Sequence, residues 1–190
     1  EGDNRPIVLL PARLTRWKGP LLLVDAAARA KLPARYVLAG DAQGRTEFEA
    51  EVRKRIAEHG LEGDVTLAGH VDDMPAAYKA ADIVVSASLD PEPFGRIAVE
   101  AQAMGALVIA PDHGGAQEQL VTDPAHARTG WLFAPGDADA LAGTIDDALA
   151  LGADDKARMG ARARRHAIES FTSDAMCAAT LKVYEDVLAS

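Results

Sequence analysis

Short apolar runs alternate along the chain with longer segments in which apolar residues recur every three or four positions. The first five runs are continuously apolar, which is typical of strands covered on both faces of a parallel sheet. A sixth run, rich in aromatic residues, follows them. The pattern predicts six strands, over residues 7–10, 36–40, 65–69, 83–88, 107–111 and 130–135.

The segments between these runs have helical periodicity, and the chain after residue 135 is purely helical. Strand–helix alternation of this kind predicts an α/β fold, a Rossmann-like doubly wound parallel sheet of about six strands flanked by helices, with a helical C-terminus. The last helix is expected to carry an apolar stripe along one side. The predicted helices cover residues 20–31, 45–59, 74–80, 94–104, 116–120, 137–150, 154–170 and 172–188.

Length, charge and cysteine content narrow the class of protein. The 190 residues suit one domain, residues 1–190. The sequence contains no run of about 18 apolar residues, which is the length that a membrane-spanning helix needs. The polar residues 1–6 lead us to expect no signal peptide, and the single Cys177 fits a reducing cytoplasm. The net charge of −9 argues against nucleic-acid binding, and the five scattered His give no metal-ligand spacing. We expect a cytoplasmic domain of a longer protein, with no metal.

In an open parallel sheet, ligands bind beyond the carboxyl ends of the strands. The loop after the first strand carries Arg13 and Lys18, and Pro20 predicts that a helix begins there. An anion would be favoured at such a helix start, so Arg13 and Lys18 could clamp a phosphate or diphosphate. A solvated basic loop is the alternative. Neither a Walker loop nor a G-x-G-x-x-G motif occurs, which gives little support to a nicotinamide dinucleotide site.

The stretch "DPEPFGRIAVEAQAMG" contains Glu92 and Glu100. Pro93 suits a first helical turn, which would place Glu92 at the helix entrance. Eight residues of helix rise about 12 Å. This exceeds the separation of roughly 5–9.5 Å in hydrolytic carboxylate pairs, but it suits two carboxylates that hold hydroxyls at opposite ends of one long ligand. The alternatives are a surface pair of Arg96 with Glu100, and a Glu92 charge that meets the helix dipole. The expected buried stripe is Phe94, Ile97, Ala98, Ala101 and Met104.

The segment "EPFGRIAVE", followed by "EAQAMG", resembles the Glu–seven–Glu signature of retaining glycosyltransferases of family 4 (group 1). The resemblance extends almost end to end, and it implies the C-terminal, donor-binding lobe of the two-lobed glycosyltransferase-B fold. Its other motifs are "ARLTRWKG", "YVLAGDAQG", "VTLAGHVDDMPAAYKAADIVVSAS", "APDHGGAQEQLV", "TGWLFAPGDADALAGTI" and "FTSDAMCAATLKVYEDVL".

The resemblance assigns roles to individual residues. Glu92 is the expected catalytic residue and would face the donor sugar near its anomeric carbon, whereas Glu100 would bind the ribose hydroxyls. Arg13 and Lys18 would hold the donor diphosphate. The remaining candidates form the donor site through backbone or base contacts: Phe94 and Gly95 through backbone N–H groups, His70 and Val71 beside the base, and Gly114 and Gly115 through close backbone approach. A solvated His70 and a simple glycine turn are the alternatives.

The implied function is transfer of a hexose from a nucleoside diphosphate sugar, UDP- or GDP-linked, with retained anomeric configuration and no further cofactor. The acceptor would be a glycan or a lipid-linked glycan, as in bacterial lipopolysaccharide synthesis. It would bind an N-terminal lobe that residues 1–190 lack, so the isolated domain is expected to be inactive. Peripheral contact with the inner face of the membrane would then come from that lobe. Since the family returns its last helix to the other lobe, we expect part of the apolar stripe in residues 176–187 to be exposed.

Three departures from the family pattern affect details of the donor site. Ala12 replaces a glycine, Ala42 replaces the second glycine of a turn, and Ser173 lies where Trp is common. Three alternatives remain open: a non-catalytic nucleotide-sugar-binding module, a sugar-nucleotide epimerase-like domain, and a flavodoxin-like signalling or interaction domain. The last would leave Glu92 and Glu100 unexplained and would bind no nucleotide.

Overall fold

The six apolar runs form one parallel sheet. A computed structural model describes residues 3–44 and 46–189, and within these ranges the sheet has six strands in the order β3-β2-β1-β4-β5-β6. Every neighbouring pair is parallel. The predicted fold class is therefore confirmed. The strands are β1 (Ile7–Leu10), β2 (Arg35–Ala39), β3 (Val65–Gly69), β4 (Ile83–Val85), β5 (Leu107–Pro111) and β6 (Trp131–Phe133).

Helices connect the strands and form the C-terminal part of the chain. A short 3-10 helix, Arg16–Lys18, precedes α1. Asp137 caps α6, as predicted, because its carboxylate accepts the N–H groups of Asp139 and Ala140. The described ranges contain eight α-helices: α1 (Pro20–Ala27), α2 (Thr46–Glu58), α3 (Met74–Ala80), α4 (Arg96–Ala103), α5 (Ala116–Gln119), α6 (Ala138–Leu149), α7 (Ala153–Ser170) and α8 (Ser173–Leu188).

The core lies on both faces of the sheet because successive strand residues point to opposite sides. In β1, Val8 and Leu10 belong to one hydrophobic cluster and Leu9 belongs to another. The first cluster includes residues of α1, α2 and α6, and the second includes residues of α3 and α4. This two-sided cover explains why the strands read as continuous apolar runs.

The helix predicted over residues 20–31 ends earlier, at Ala27. The N–H groups of Lys31 and Leu32 donate to the carboxylate of Asp146 at 3.0 Å. A long-range acceptor therefore takes the N–H groups of Lys31 and Leu32, whereas those of Ala28 and Ala30 still donate to the carbonyls of Val24 and Ala26. The helix predicted from residue 45 is described from Thr46, because residue 45 lies outside the described ranges.

The helix that follows Glu92 begins later than predicted. It starts at Arg96, and Gly95 has a φ of 73°, a left-handed conformation that cannot be part of a right-handed helix. The placement of Pro93 in the first helical turn was therefore wrong. Glu92 lies in a loop, and the 12 Å estimate, which assumed continuous helix, does not apply. Phe94 is 47% exposed rather than part of the buried stripe, whereas Gln102 is fully buried.

Helix α8 packs little of its surface against the rest of the described chain. None of residues 173–188 is buried, and Met176, Val183 and Tyr184 are each about 60% exposed. The expectation that part of the stripe would be exposed is confirmed. Across residues 3–44 and 46–189, no helix combines the length and the apolar character that a membrane crossing requires.

Candidate functional site

A groove of about 560 Å³ lies at the carboxyl ends of the strands. Its walls come from the end of β2, from the loops that follow β1 to β4, from α3 and from the start of α4. The strand order changes direction between β1 and β4, and such switch points are where open α/β sheets bind ligands. Seven of the residues predicted from the sequence line this groove together: Arg13, Lys18, His70, Val71, Glu92, Gly95 and Glu100.

The loops after β1 and β4 are held against each other by backbone contacts. The N–H of Leu89 donates to the carbonyl of Trp17 at 2.7 Å. Gly19 has a φ of 69°, and a Cβ there would overlap the backbone carbonyl of Ala87. Only glycine satisfies both conditions. The loop that carries Lys18 is therefore fixed next to the loop that carries Glu92.

Lys18 and Glu92 form an ion pair in the groove. The Lys18 Nζ lies 2.6 Å from Glu92 Oε2, and the two side chains are only 13% and 20% exposed. The hydroxyl of Ser88 donates to Glu92 Oε1, and the ammonium group lies 4.2 Å from the ring centroid of Trp17. The carboxylate is thus fixed through both oxygens, each of which retains a lone pair for a ligand hydroxyl.

Glu100 is held by two neighbours. The hydroxyl of Tyr78 donates to Glu100 Oε2 at 2.8 Å, and Arg96 Nε lies 3.3 Å from Glu100 Oε1. Burial raises the pKa of Tyr78, and the hydrogen bond to Glu100 raises it further, so the phenol stays protonated and remains a donor. The surface pair of Arg96 with Glu100, which was the alternative interpretation, is present, and Glu100 lines the groove as well.

Arg13 and His70 lie at the more exposed parts of the groove. Arg13 donates to Gln43 Oε1 at 3.3 Å. The His70 side chain is 70% exposed, and its Nε2 lies 3.1 Å from Asp72 Oδ1. His70 is therefore largely exposed to solvent, as the alternative interpretation expected, and it also lines the groove.

Gly114 and Gly115 pack on the loop that carries Glu92. The N–H of Gly115 donates to the carbonyl of Glu92 at 2.9 Å. A Cβ on Gly114 would lie 2.5 Å from that carbonyl oxygen, and a Cβ on Gly115 would lie 2.5 Å from the carbonyl oxygen of Phe94. The two glycines thus allow close approach between parts of the chain. Their proximity to a donor stays a prediction, as does the N–H role of Phe94.

The residues that hold the two glutamates were not predicted from the sequence. Ser88 follows β4 at its carboxyl end, so the rule on ligand positions in parallel sheets could have identified it. Tyr78 lies within "AAYKA", where no motif marks it. Arg96 was considered only as a surface partner, yet it lines the groove.

The groove is suited to a ligand that is both anionic and rich in hydroxyls. Among the described residues on its walls, Arg13, Lys18 and Arg96 are cationic, whereas Glu92 and Glu100 accept hydrogen bonds. Within the described part of the chain, α1 and α4 begin without a side-chain cap, so their first N–H groups are available to an anion.

The fold is that of a Rossmann-type domain with a groove at the switch point of its sheet. Residues 1–166 match the profile of the family described as Glycosyl transferases group 1. The chain belongs to this family, and it is a glycosyltransferase domain with the Rossmann-like fold of glycosyltransferase-B proteins.

Curated relatives match nearly the whole chain. A D-inositol 3-phosphate glycosyltransferase of Jonesia denitrificans is 36% identical over 97% of this chain. The lipopolysaccharide core biosynthesis mannosyltransferase LpsB of Rhizobium meliloti is 33% identical over 93% of it. These alignments cover 43% and 50% of the two relatives. The chain thus spans about half the length of the curated relatives it matches.

Solved structures of glycosyltransferases share the fold of this chain. A glycosyltransferase from Rickettsia africae superposes with a TM-score of 0.88 and 35% identity, covering 98% of this chain and 49% of the other. Anabaena HepE in complex with UDP and glucose gives a TM-score of 0.83 and 30% identity, with the same coverage. The C-terminal domain of a Francisella tularensis group 1 protein, at 24% identity, shares the fold over 88% of this chain and 87% of its own, with a TM-score of 0.77.

Proposed function

We propose that this chain is the C-terminal, donor-binding lobe of a two-lobed glycosyltransferase and binds a nucleoside diphosphate sugar. The observation that carries the proposal is the groove that joins Lys18 and Arg13 to Glu92 and Glu100. HepE, whose structures contain UDP and UDP-glucose, supports a donor of this class. Glu100, held by Tyr78, binds the ribose hydroxyls, and Lys18 binds the diphosphate.

The proposed reaction transfers a hexose with retention of the anomeric configuration. Departure of the diphosphate builds negative charge, which Lys18 and the N–H groups at the starts of α1 and α4 stabilise. Positive charge develops on the sugar, and the carboxylate of Glu92 stabilises it. Since Lys18 and Glu92 contact each other at 2.6 Å, the diphosphate competes with Glu92 for the ammonium group. No metal or further cofactor takes part in this scheme.

The acceptor site belongs to an N-terminal lobe in this proposal. The acceptor is a glycan or a lipid-linked glycan, and the likeness to LpsB favours lipopolysaccharide or another bacterial surface polysaccharide. The protein acts in the cytoplasm, with the other lobe at the inner face of the membrane. The 190-residue chain alone therefore binds donor and transfers nothing.

A thermal-shift panel of UDP, GDP, ADP and their sugars tests the proposal. A ligand at a hundred times its Kd stabilises the folded state by about 2.7 kcal/mol, so at least one member should raise the melting temperature. A flavodoxin-like interaction domain predicts no shift with any of them. An epimerase-like domain would convert a free nucleotide sugar into its epimer, which chromatography would detect.

Lys18→Ala should weaken nucleoside diphosphate binding at least tenfold, about 1.4 kcal/mol, because the variant removes the most buried cation of the groove. Isothermal titration calorimetry measures this change. Lys54→Ala, on the exposed side of α2, is the matched control and should leave the affinity unchanged. An unaltered affinity in Lys18→Ala would remove Lys18 from the proposed diphosphate site.

A further inference from the structure

A small recess adjoins the groove behind Glu92. It has a volume of about 20 Å³, and Glu92 and Gly95 line both spaces. About 10–15 Å³ of water-accessible space suffices for one water molecule. The recess therefore fits a single hydroxyl group and excludes a phosphate. Its polar lining includes Ser86, Ser88, Glu92, His113 and Gln119.

Two side chains of this recess carry buried polar atoms that have no hydrogen-bond partner among the described residues. These atoms are Nδ1 and Nε2 of His113 and Oε1 of Gln119. Leaving a buried polar group unpaired costs about 1–3 kcal/mol, so native proteins rarely do so without a reason. Three such atoms on two side chains that line a space of hydroxyl size indicate that this space receives a polar group.

The Gln119 amide is fixed in place. Its Nε2 donates to the backbone carbonyl of Phe94, and the Gln102 Nε2 donates to the backbone carbonyl of Gln119 at 3.0 Å. The Oε1 atom thus remains a rigid acceptor. A neutral imidazole has one donor and one acceptor nitrogen. A hydroxyl can both donate and accept, so it complements His113 and Gln119, whereas a phosphate oxygen would meet the Glu92 charge.

We propose that His113 and Gln119 bind one hydroxyl of the donor hexose, and that His113 is a specificity-determining residue. This inference rests on the proposed function, because it requires the sugar to lie at Glu92. A site that hydrogen-bonds a hydroxyl strongly disfavours the analogue lacking it, since the buried polar groups then stay unpaired. The recess therefore selects the hexoses whose hydroxyl points toward it.

The test compares the best-binding nucleotide sugar of the thermal panel with its monodeoxy analogues, by calorimetry on the 190-residue chain. One deoxy position should lower the affinity at least tenfold. In His113→Phe this penalty should fall below threefold, while the affinity for the nucleoside diphosphate stays the same. His113→Asn, which keeps a donor and an acceptor, should retain part of the discrimination. His126→Phe, on an exposed loop, should retain all of it.

Each outcome bears on one claim. An undiminished deoxy penalty in His113→Phe overturns the role of His113, even where the diphosphate binds as proposed. Failure of every nucleoside diphosphate to bind overturns the proposed function, and this inference falls with it. If His113→Phe does not fold, long-range ¹H–¹⁵N spectra of the unaltered chain test whether His113 contacts the sugar. The His113 ring nitrogens should shift with the nucleotide sugar and not with the diphosphate, and equal shifts with both overturn the inference.

Discussion

At the scale of single residues, partners decide what a buried polar group contributes. Tyr36 and Tyr78 are both 3% exposed. The Tyr78 hydroxyl donates to Glu100, whereas the Tyr36 hydroxyl has no partner among the described residues. Burial raises the pKa of Tyr36 to about 12, with smaller effects of the Asp146 and Asp64 carboxylates, so its phenol also stays protonated at neutral pH.

Tyr78→Phe should therefore lower stability, whereas Tyr36→Phe should not. Tyr78→Phe removes a charge-assisted hydrogen bond and should lower the free energy of unfolding by about 1 kcal/mol, since Glu100 is partly exposed to water. Tyr36→Phe removes a buried hydroxyl without a partner and should be neutral or stabilising. Urea unfolding at pH 7 measures both. Equal losses in the two variants would contradict this explanation.

The candidate site was predictable from the sequence only in part, for a reason visible at this scale. Lys18, Glu92 and Glu100 follow strand ends or form a spaced motif, and both patterns can be recognised in the sequence. The groups that hold these side chains cannot be recognised there. Tyr78 reaches Glu100 from another helix, and His113 is distinguished by the polar atoms it buries, a property that only side-chain geometry reveals.

At the scale of elements, the inner strands β1, β4 and β5 were predicted well because burial on both faces requires continuous apolar runs. Boundaries were wrong where a distant segment decides them. Asp146 on α6 binds the N–H groups of Lys31 and Leu32 in the segment after α1, and the contact of residues 114–115 with the Glu92 loop accompanies the break before α4. Local propensity does not report such contacts, since the partners lie far apart in sequence.

Gly115→Ala tests the fit between the Gly114–Gly115 turn and the Glu92 loop. The new Cβ would lie 2.5 Å from the Phe94 carbonyl oxygen, so backbone must move. We expect a loss of about 1–3 kcal/mol in the free energy of unfolding, and weaker nucleoside diphosphate binding because Glu92 shifts. Gly143→Ala on α6 is the matched control. Its Cβ would meet no described atom within 4 Å, so this variant should be more stable by about 0.5–1 kcal/mol.

At the scale of the whole molecule, the doubly wound topology builds the site from distant parts of an acidic chain. Lys18 and Glu92 are 74 positions apart, and they meet because β1 and β4 are neighbours in the sheet. The net charge of −9 therefore says little about the groove, which gathers three cations at one edge. The same topology leaves α8 outside the core, with an apolar stripe facing solvent.

Val183 on α8 tests whether this stripe is covered in a two-lobed protein. Val183 is 59% exposed, and Val24, the matched residue in α1, is fully buried. In the 190-residue chain, Val183→Ala should change the free energy of unfolding by less than about 0.5 kcal/mol, whereas Val24→Ala should cost about 2 kcal/mol. In a protein that also contains the N-terminal lobe, Val183→Ala should become destabilising, because it removes methyl groups that pack against that lobe. Scanning calorimetry of both forms measures the difference, and a neutral Val183→Ala in the longer protein would show that α8 does not bind the other lobe through Val183.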